Sequence, residues 1–289
     1  MTRGAMPRRS SIRTRMACWL LAGMVLAMTS QPAMASRFAN LEGSPPLRSA
    51  SAMIVAEDGS IIYGKDEHTV RPIASITKLM TAMVIIDSGV DLQAKVTVTK
   101  DDRDLVQLTG SRLEFGATLT REEMIMLAVM SSENRAATAL GRTFPGGLDT
   151  FIERMNAKAK ELGMNHTRFA DPAGLRIENQ STAADLALMA AAAHGYPLIR
   201  KASTTRRYEV RPYPKRGPLV YGNTNRLLKN KTWDIDLSKT GYINEAGRCL
   251  VMQATIEGER ISIVLLNSFG KLTPFGDSNR LRKWLLASD

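Results

Sequence analysis

Cysteine and histidine are scarce in this chain, and each scarcity removes a class of chemistry. The 289 residues carry two cysteines and three histidines. Cys18 lies in an N-terminal leader and Cys249 stands alone after it, so the mature chain is expected to form no intrachain disulfide. His68, His166 and His194 are far apart and have no cysteine companions, which argues against a His/Cys metal centre; no metal and no cofactor are expected. His166 and His194 read as structural. A glycine-rich phosphate loop and a dinucleotide fingerprint are both missing. So is any Pro/Ser-rich linker, repeat or low-complexity tract that would divide the chain.

Five arginines (Arg3, Arg8, Arg9, Arg13, Arg15) and no acid precede the apolar run from Ala17 to Met28, and Ala33-Met34-Ala35 follows. A basic start, about a dozen apolar residues and an Ala-x-Ala end describe a secretory signal peptide over residues 1–35, cleaved after Ala35, with export to the periplasm. A membrane span needs about 20 apolar residues, and this run is shorter. Losing the leader lowers the formal charge from +11 to +6. That mild basic balance keeps a protein soluble and does not point to a nucleic-acid partner. Residues 36–289 are read as a single catalytic domain.

Ala50 to Glu57 and Ser60 to Lys65 are β-rich runs about the turn Asp58-Gly59, a hairpin. A helix is predicted from Ser75 to Asp87, entered through Pro72, and its apolar residues leave almost no polar face, so it belongs in the middle of the fold. Loops with short strands are expected over Val96 to Thr120. Helices follow over Arg121–Met130, Arg135–Gly141, Leu148–Leu162 and Ala183–Ala193, the last capped by Ser181-Thr182. Strands are predicted over Tyr208–Arg211, Trp233–Gly241, Cys249–Glu257 and Arg260–Asn267, with a final helix over Ser278–Leu286 packed on the sheet. Strands at both ends with helices between them predict an α/β (α+β) fold: an antiparallel sheet whose first and last segments pair, flanked by helices with a helical lobe.

Ser75 and Lys78, three residues apart on a helix, share one face as a nucleophile and a base. An ordinary lysine near pKa about 10.4 stays charged, and bringing it near 7 requires about 4 kcal/mol of desolvation or cationic repulsion. The same spacing recurs at Ser268 and Lys271, in a Gly-containing turn after a strand, where no helix aligns the two. Only the first copy has company: Ser132-Glu133-Asn134 at a helix junction and Lys239-Thr240-Gly241 near a strand end. Trp233, Ile235, Leu237 and Lys239 share one parity of their strand, which carries the Lys239 ammonium to the apolar face. Beside the Ser75 helix it would be a second cation repelling Lys78, leaving Lys78 neutral and Lys239 charged to hold a substrate carboxylate. Gly241 lets another backbone approach the strand edge, so that a peptide could add there. Ser132 and Asn134, taken alone, read as a helix cap. With the other boxes present, Ser132 becomes a proton relay and the Asn134 amide orients Lys78 and substrate. The backbone amides of Ser75 and Tyr242 are the candidate oxyanion hole.

These three boxes occur together in class A β-lactamases and penicillin-binding proteins. From about Leu47 to Leu286 the chain resembles the low-molecular-mass penicillin-binding proteins, D-Ala-D-Ala peptidases of the serine β-lactamase-like (transpeptidase-like) fold. The stretches Pro72–Met83, Met130–Ala137, Met155–Lys160 and Asn279–Arg282 resemble the penicillin-binding protein 7 type D-alanyl-D-alanine endopeptidase branch in particular. By similarity the nucleophile maps onto Ser75, the base onto Lys78, the second box onto Ser132 and Asn134, and the third onto Lys239, Thr240 and Gly241. The resemblance implies hydrolysis of D-Ala to meso-diaminopimelate cross-links in peptidoglycan through an acyl-enzyme, with β-lactams as inhibitors. Carboxypeptidases of this kind usually append a β-rich domain and a membrane anchor. The 48 residues after Gly241 are already used by two strands and a helix, so no anchor domain and at most peripheral membrane contact are expected.

Alternatives remain open. A D-alanyl-D-alanine carboxypeptidase would trim terminal D-Ala with the same residues. A class A β-lactamase would need a Glu-x-x-Leu-Asn motif, and Glu178-Asn179 has the wrong spacing. A non-catalytic β-lactam sensor would be tethered to a membrane segment. The deacylating base, regulators, partner enzymes and oligomeric state do not follow from the sequence.

Overall fold

The first and last long strands meet at the centre of the molecule, as their shared hydrophobic pattern requires. A computed structural model describes residues 1, 2, 4, 36–39 and 41–287. The signal-peptide reading falls almost entirely outside these residues. From Ser36 onward the described residues form one compact unit.

Five strands, β1 (Ser51–Ala56), β2 (Ile61–Lys65), β3 (Asp234–Ile243), β4 (Gly247–Ile256) and β5 (Glu259–Ser268), form an antiparallel sheet in the order β2-β1-β5-β4-β3. β1 pairs with β5 from Ser51↔Leu266 to Ala56↔Ile261, closing the chain on itself. Strand alternation makes two cores. Met53, Val251 and Val264 face the helices α1 (Thr77–Asp87), α2 (Arg121–Met130), α3 (Asn134–Arg142), α4 (Gly147–Glu161), α5 (Ala183–His194) and α6 (Pro197–Thr204). Ile54, Met252 and Ile263 face the other way, onto Leu281 and Leu285 of α7 (Thr273–Ala287). That packing matches the sequence expectation for the last helix. Among the described residues no helix is long and apolar enough to cross a membrane.

Every residue of α1 from Thr77 to Ile85 is buried, as its lack of a polar face predicted. Several boundaries differ from prediction. α7 begins five residues before Ser278, because Pro274 occupies a first-turn position where no N–H is needed. α6 went unread, although Pro197 marks its start in the same way. Pro72 does not open α1: it pairs in a two-residue strand, Arg71–Pro72 against Gln180–Ser181. The short strands foreseen between Val96 and Thr120 are Lys95–Thr97 and Thr118–Thr120, paired with each other.

The parity reading of β3 needs a correction that matters for the site. Gln253 pairs with Leu237 and the next residue, Ala254, pairs with Ile235, so Asp236 is an extra residue in β3. Such a bulge exchanges the faces of a strand. Trp233 and Ile235 therefore pack on the α7 side, while Leu237 lies in the helix-side core. Lys239, two residues beyond Leu237, reaches the helix side because of the bulge, not because it continues the parity of Trp233.

Asp277 ties α7 to the strand edge: its buried carboxylate accepts from the Arg48 amide (3.0 Å), the Ser49 amide (2.7 Å) and the Ser49 hydroxyl (2.5 Å). Removing an acceptor that serves several buried donors strands them without partners. Asp277→Ala is expected to lower unfolding stability by about 3 kcal/mol, read as a shift of the denaturation midpoint.

Candidate active site

Ser75 sits in a tight 3₁₀ turn, Ala74–Ile76, that leads into α1. Ala74 has φ +49°, a left-handed conformation that a residue with a Cβ adopts at a cost. Two glycines clamp this turn. A Cβ on Gly174 would lie 1.9 Å from the Ala74 carbonyl oxygen, and one on Gly241 would lie 2.8 Å from that of Ile73 and 3.2 Å from the Ser75 nitrogen. The backbone that comes close to Gly241 is thus the chain's own.

Lys78 projects from the first turn of α1 and is fully buried. Its Nζ lies 2.8 Å from Ser75 Oγ and donates to Asn134 Oδ1 (2.8 Å) and to the Ala173 carbonyl (2.5 Å). Lys239 is buried as well, and its Nζ donates to Ser132 Oγ (3.0 Å) and to the Thr240 carbonyl (2.8 Å). Ser132 has φ +61° at the junction of α2 and α3. The cap of α3 is Glu133, whose carboxylate accepts from the Arg135 amide. Neither Ser132 nor Asn134 is spent on capping, which removes the bland reading of that box.

The electrostatics differ from the sequence expectation in their cause. Burial pushes the Lys78 ammonium down to about 7, while Asp171, Glu133 and Asp104 oppose that fall. Burial, and after it Lys78, also holds Lys239 well below its ordinary value. Desolvation, rather than repulsion by a charged Lys239, is thus the main force on Lys78, and Lys239 is not a plain cation in the free site. The two amines are coupled, so charge placed on one disfavours charge on the other.

Ser75, Ser132, Asn134, Thr240, Gly241 and Tyr242 line one cavity of about 400 Å³, with Thr224, Arg226, Arg248 and Lys271 on its walls. All eight predicted site residues converge there, Lys78 and Lys239 through their hydrogen bonds to Ser75, Asn134 and Ser132. The second Ser-x-x-Lys copy is divided as foreseen: Ser268 ends β5 and shares a buried hydrogen bond with Ser49, while Lys271 lies in the turn before α7, so no helix aligns the two. A larger cavity of about 640 Å³, bordered by α5 and the sheet, carries His68, His166 and His194 and none of the three boxes.

Sequence reasoning missed the segment Asp171-Pro172-Ala173-Gly174. The Asp171 carboxylate accepts from the amides of Ala173 (2.7 Å), Gly174 (2.6 Å) and Arg176 (2.8 Å) and from Asn179 Nδ2 (2.6 Å). This wraps the loop around one side chain and turns the Ala173 carbonyl onto Lys78. An Asp-Pro-x-Gly turn is visible in sequence, but its destination is not. Asn179 is consumed in this loop and Glu178 is exposed, so neither stands where a β-lactamase deacylation base would.

A serine and a neutralisable lysine at the mouth of a buried helix, lining one cleft with the Lys239-Thr240-Gly241 end of strand β3, define an active-site-serine acyl-transfer enzyme. Residues 39–270 match the peptidase S11 family, D-alanyl-D-alanine carboxypeptidase, and the chain belongs to that family. It is 45% identical over 240 residues to a D-alanyl-D-alanine endopeptidase of Pseudomonas aeruginosa, covering 83% of this chain and 77% of that one. It is 44% identical to the D-alanyl-D-alanine endopeptidase of Escherichia coli (86% and 80% covered), and 32% identical to the D-alanyl-D-alanine carboxypeptidase DacF of Bacillus subtilis (94% and 70%). The Streptomyces K15 DD-transpeptidase superposes with a TM-score of 0.78 at 28% identity, over 85% of this chain and 99% of that one. The fold expectation, a transpeptidase-like α/β enzyme, is met.

Gly174→Ala is expected to displace Ala74 and with it Ser75, because a Cβ has no room at φ +74° against that carbonyl. Labelling by a fluorescent penicillin should fall at least about tenfold, a barrier increase of about 1.4 kcal/mol, with a lower melting midpoint.

Proposed function

We propose that this serine-type D-Ala-D-Ala peptidase hydrolyses D-Ala to meso-diaminopimelate cross-links of peptidoglycan through an acyl-enzyme on Ser75. The observation that carries the reading is the pairing of Lys78 with two neutral acceptors beside Ser75. A neutral lysine has two N–H donors and one lone pair; with Asn134 Oδ1 and Ala173 O taking the donors, the lone pair is left to Ser75. Lys78 then takes the Ser75 proton as Oγ attacks the D-Ala carbonyl. The amides of Ser75 and Tyr242 receive the oxyanion. Ser132 passes its proton to the leaving amine and is reprotonated by Lys239, to which it is hydrogen-bonded; water then adds its hydroxyl to the acyl carbon as the ester bond breaks, and its proton returns to Ser75 Oγ.

Lys239 and Thr240 take the carboxylate of the leaving residue. That carboxylate favours the charged form of Lys239, and the coupling of the two amines then favours neutral Lys78. Substrate binding in this way prepares the base. Tyr242, half exposed beneath the Arg248 guanidinium (3.5 Å), lines the peptide's path along the edge strand β3. β-Lactams are expected to acylate the same serine.

The endopeptidase reading is preferred over terminal trimming because the relatives at 45% and 44% identity are named endopeptidases, against 32% for a carboxypeptidase. Residues 1–35 are proposed to be a cleaved signal peptide that delivers one catalytic domain to the periplasm.

Digesting purified cross-linked muropeptides with the mature protein should remove dimers without loss of terminal D-Ala, and Ser75→Ala should neither cleave dimers nor bind fluorescent penicillin. Release of terminal D-Ala from monomers alone would sink the endopeptidase reading, and labelling of Ser75→Ala would refute the nucleophile. Acylation should also rise with pH through about 7, since only neutral Lys78 accepts the proton. Below that midpoint the rate should drop about tenfold per pH unit; a flat profile from pH 5 to 8 contradicts Lys78 as base.

A further inference from the structure

The Asn134 carboxamide has two chemically different ends, and only one of them helps a lysine base. Its Oδ1 accepts from Lys78, while its Nδ2 donates to Thr109 Oγ1 at 2.8 Å. Thr109 belongs to the loop between the short strands Lys95–Thr97 and Thr118–Thr120, on neither helix of the site. Its hydroxyl has one proton, and that proton goes to Asp104 Oδ2 at 2.6 Å. Asp104 is buried and also accepts from the amides of Val106 (2.9 Å), Gln107 (2.9 Å) and Thr109 (3.0 Å). Burial opposes ionisation, but the bonds from Thr109, Gln107 and Val106 hold its carboxyl below the usual carboxylate range. An ionised carboxylate only accepts. Thr109 must therefore donate to it, and can only accept from Asn134. The direction of every hydrogen bond from Asp104 to Lys78 is set by that one carboxylate.

We propose that Asp104 and Thr109 are positioning residues for the acylation step: their hydrogen-bond chain fixes the Asn134 carboxamide with its oxygen toward Lys78. With the amide turned over, Nδ2 would face Lys78, donate into its lone pair and take it from Ser75. The inference rests on Lys78 being the base. It also gives the loop a role that its exposed residues Leu105, Val106 and Leu108 do not suggest.

The test is the pH profile of acylation by a fluorescent penicillin, measured on full-length mature protein carrying Thr109→Val, Thr109→Ser or Thr109→Ala, with melting midpoints alongside. Asp104, Asp171 and Glu133, whose charges act on Lys78, and Lys239, the buried amine on which Lys78 acts, are unchanged in all three. Thr109→Val keeps the shape of an exposed side chain and removes its hydroxyl. Its high-pH plateau should fall about tenfold, the effect of one misdirected hydrogen bond. Its acid limb should move to lower pH, because charged Lys78 loses a carbonyl acceptor that favours the charge. Thr109→Ser should restore both. If Thr109→Val lowers the melting midpoint, Thr109→Ala must show the same plateau and limb changes without the extra methyl. Wild-type profiles for Thr109→Val and Thr109→Ala would overturn the proposal, as would a loss that Thr109→Ser does not rescue. Labelling of Ser75→Ala would instead overturn the underlying assignment, so the two failures are separable.

Discussion

Two lysine amines are buried in one cleft, and every acceptor that touches them is neutral. Lys78 meets a hydroxyl, a carboxamide and a backbone carbonyl; Lys239 meets a hydroxyl and a carbonyl. A carboxylate in direct contact would hold either amine charged. The carboxylates of Asp171, Glu133 and Asp104 instead act on Lys78 from behind other groups, tempering the effect of burial. This leaves Lys78 near 7, where a base works, and makes its charge sensitive to that of Lys239. Most of the site is a means of keeping those five neutral contacts in place.

The supports are backbone devices. Ser75 is held on a left-handed turn at Ala74, pressed from one side by Gly174 and from the other by Gly241. Gly174 belongs to a loop wound around Asp171, and Gly241 to the edge strand β3, so three segments distant in sequence fix one residue. Strain of this sort persists only where its surroundings over-determine it. Ser132, at φ +61°, is a second such point and presents its hydroxyl to Lys239. Packing reinforces this geometry: α1 is buried on every side, so the turn at its mouth cannot shift without disturbing the helix-side core.

Much of this was legible in the sequence. Periodicity located α1, α2 and the three C-terminal strands to within a few residues, and the closure of the sheet by its first and last segments follows from β runs at both ends. The eight site residues could be named because Ser75 and Lys78 share a helix face and because two further boxes accompany them. The larger errors have identifiable causes. Pro72 suits a helix entrance, yet Gln180 and Ser181, more than a hundred residues away, draw it into a strand. The parity of β3 failed because the bulge at Asp236 is defined only against its partner β4.

The sequence by itself determined which side chains make up the candidate site, and that α1 is central, since both depend on local spacing and apolar content. Tertiary structure decided the surroundings that bring the Lys78 ammonium down to about 7. The Ala173 carbonyl that accepts from it is a backbone atom, identical in every residue and invisible to composition. The orientation of Asn134 rests on Thr109, which a loop brings into contact with it across 25 positions, and on Asp104, which accepts from Thr109 within that loop. Burial itself, the main force on the lysine, is a property of the assembled core. Spacing can name a nucleophile and its partner, but only long-range packing sets the dielectric and the hydrogen-bond directions that let one act on the other.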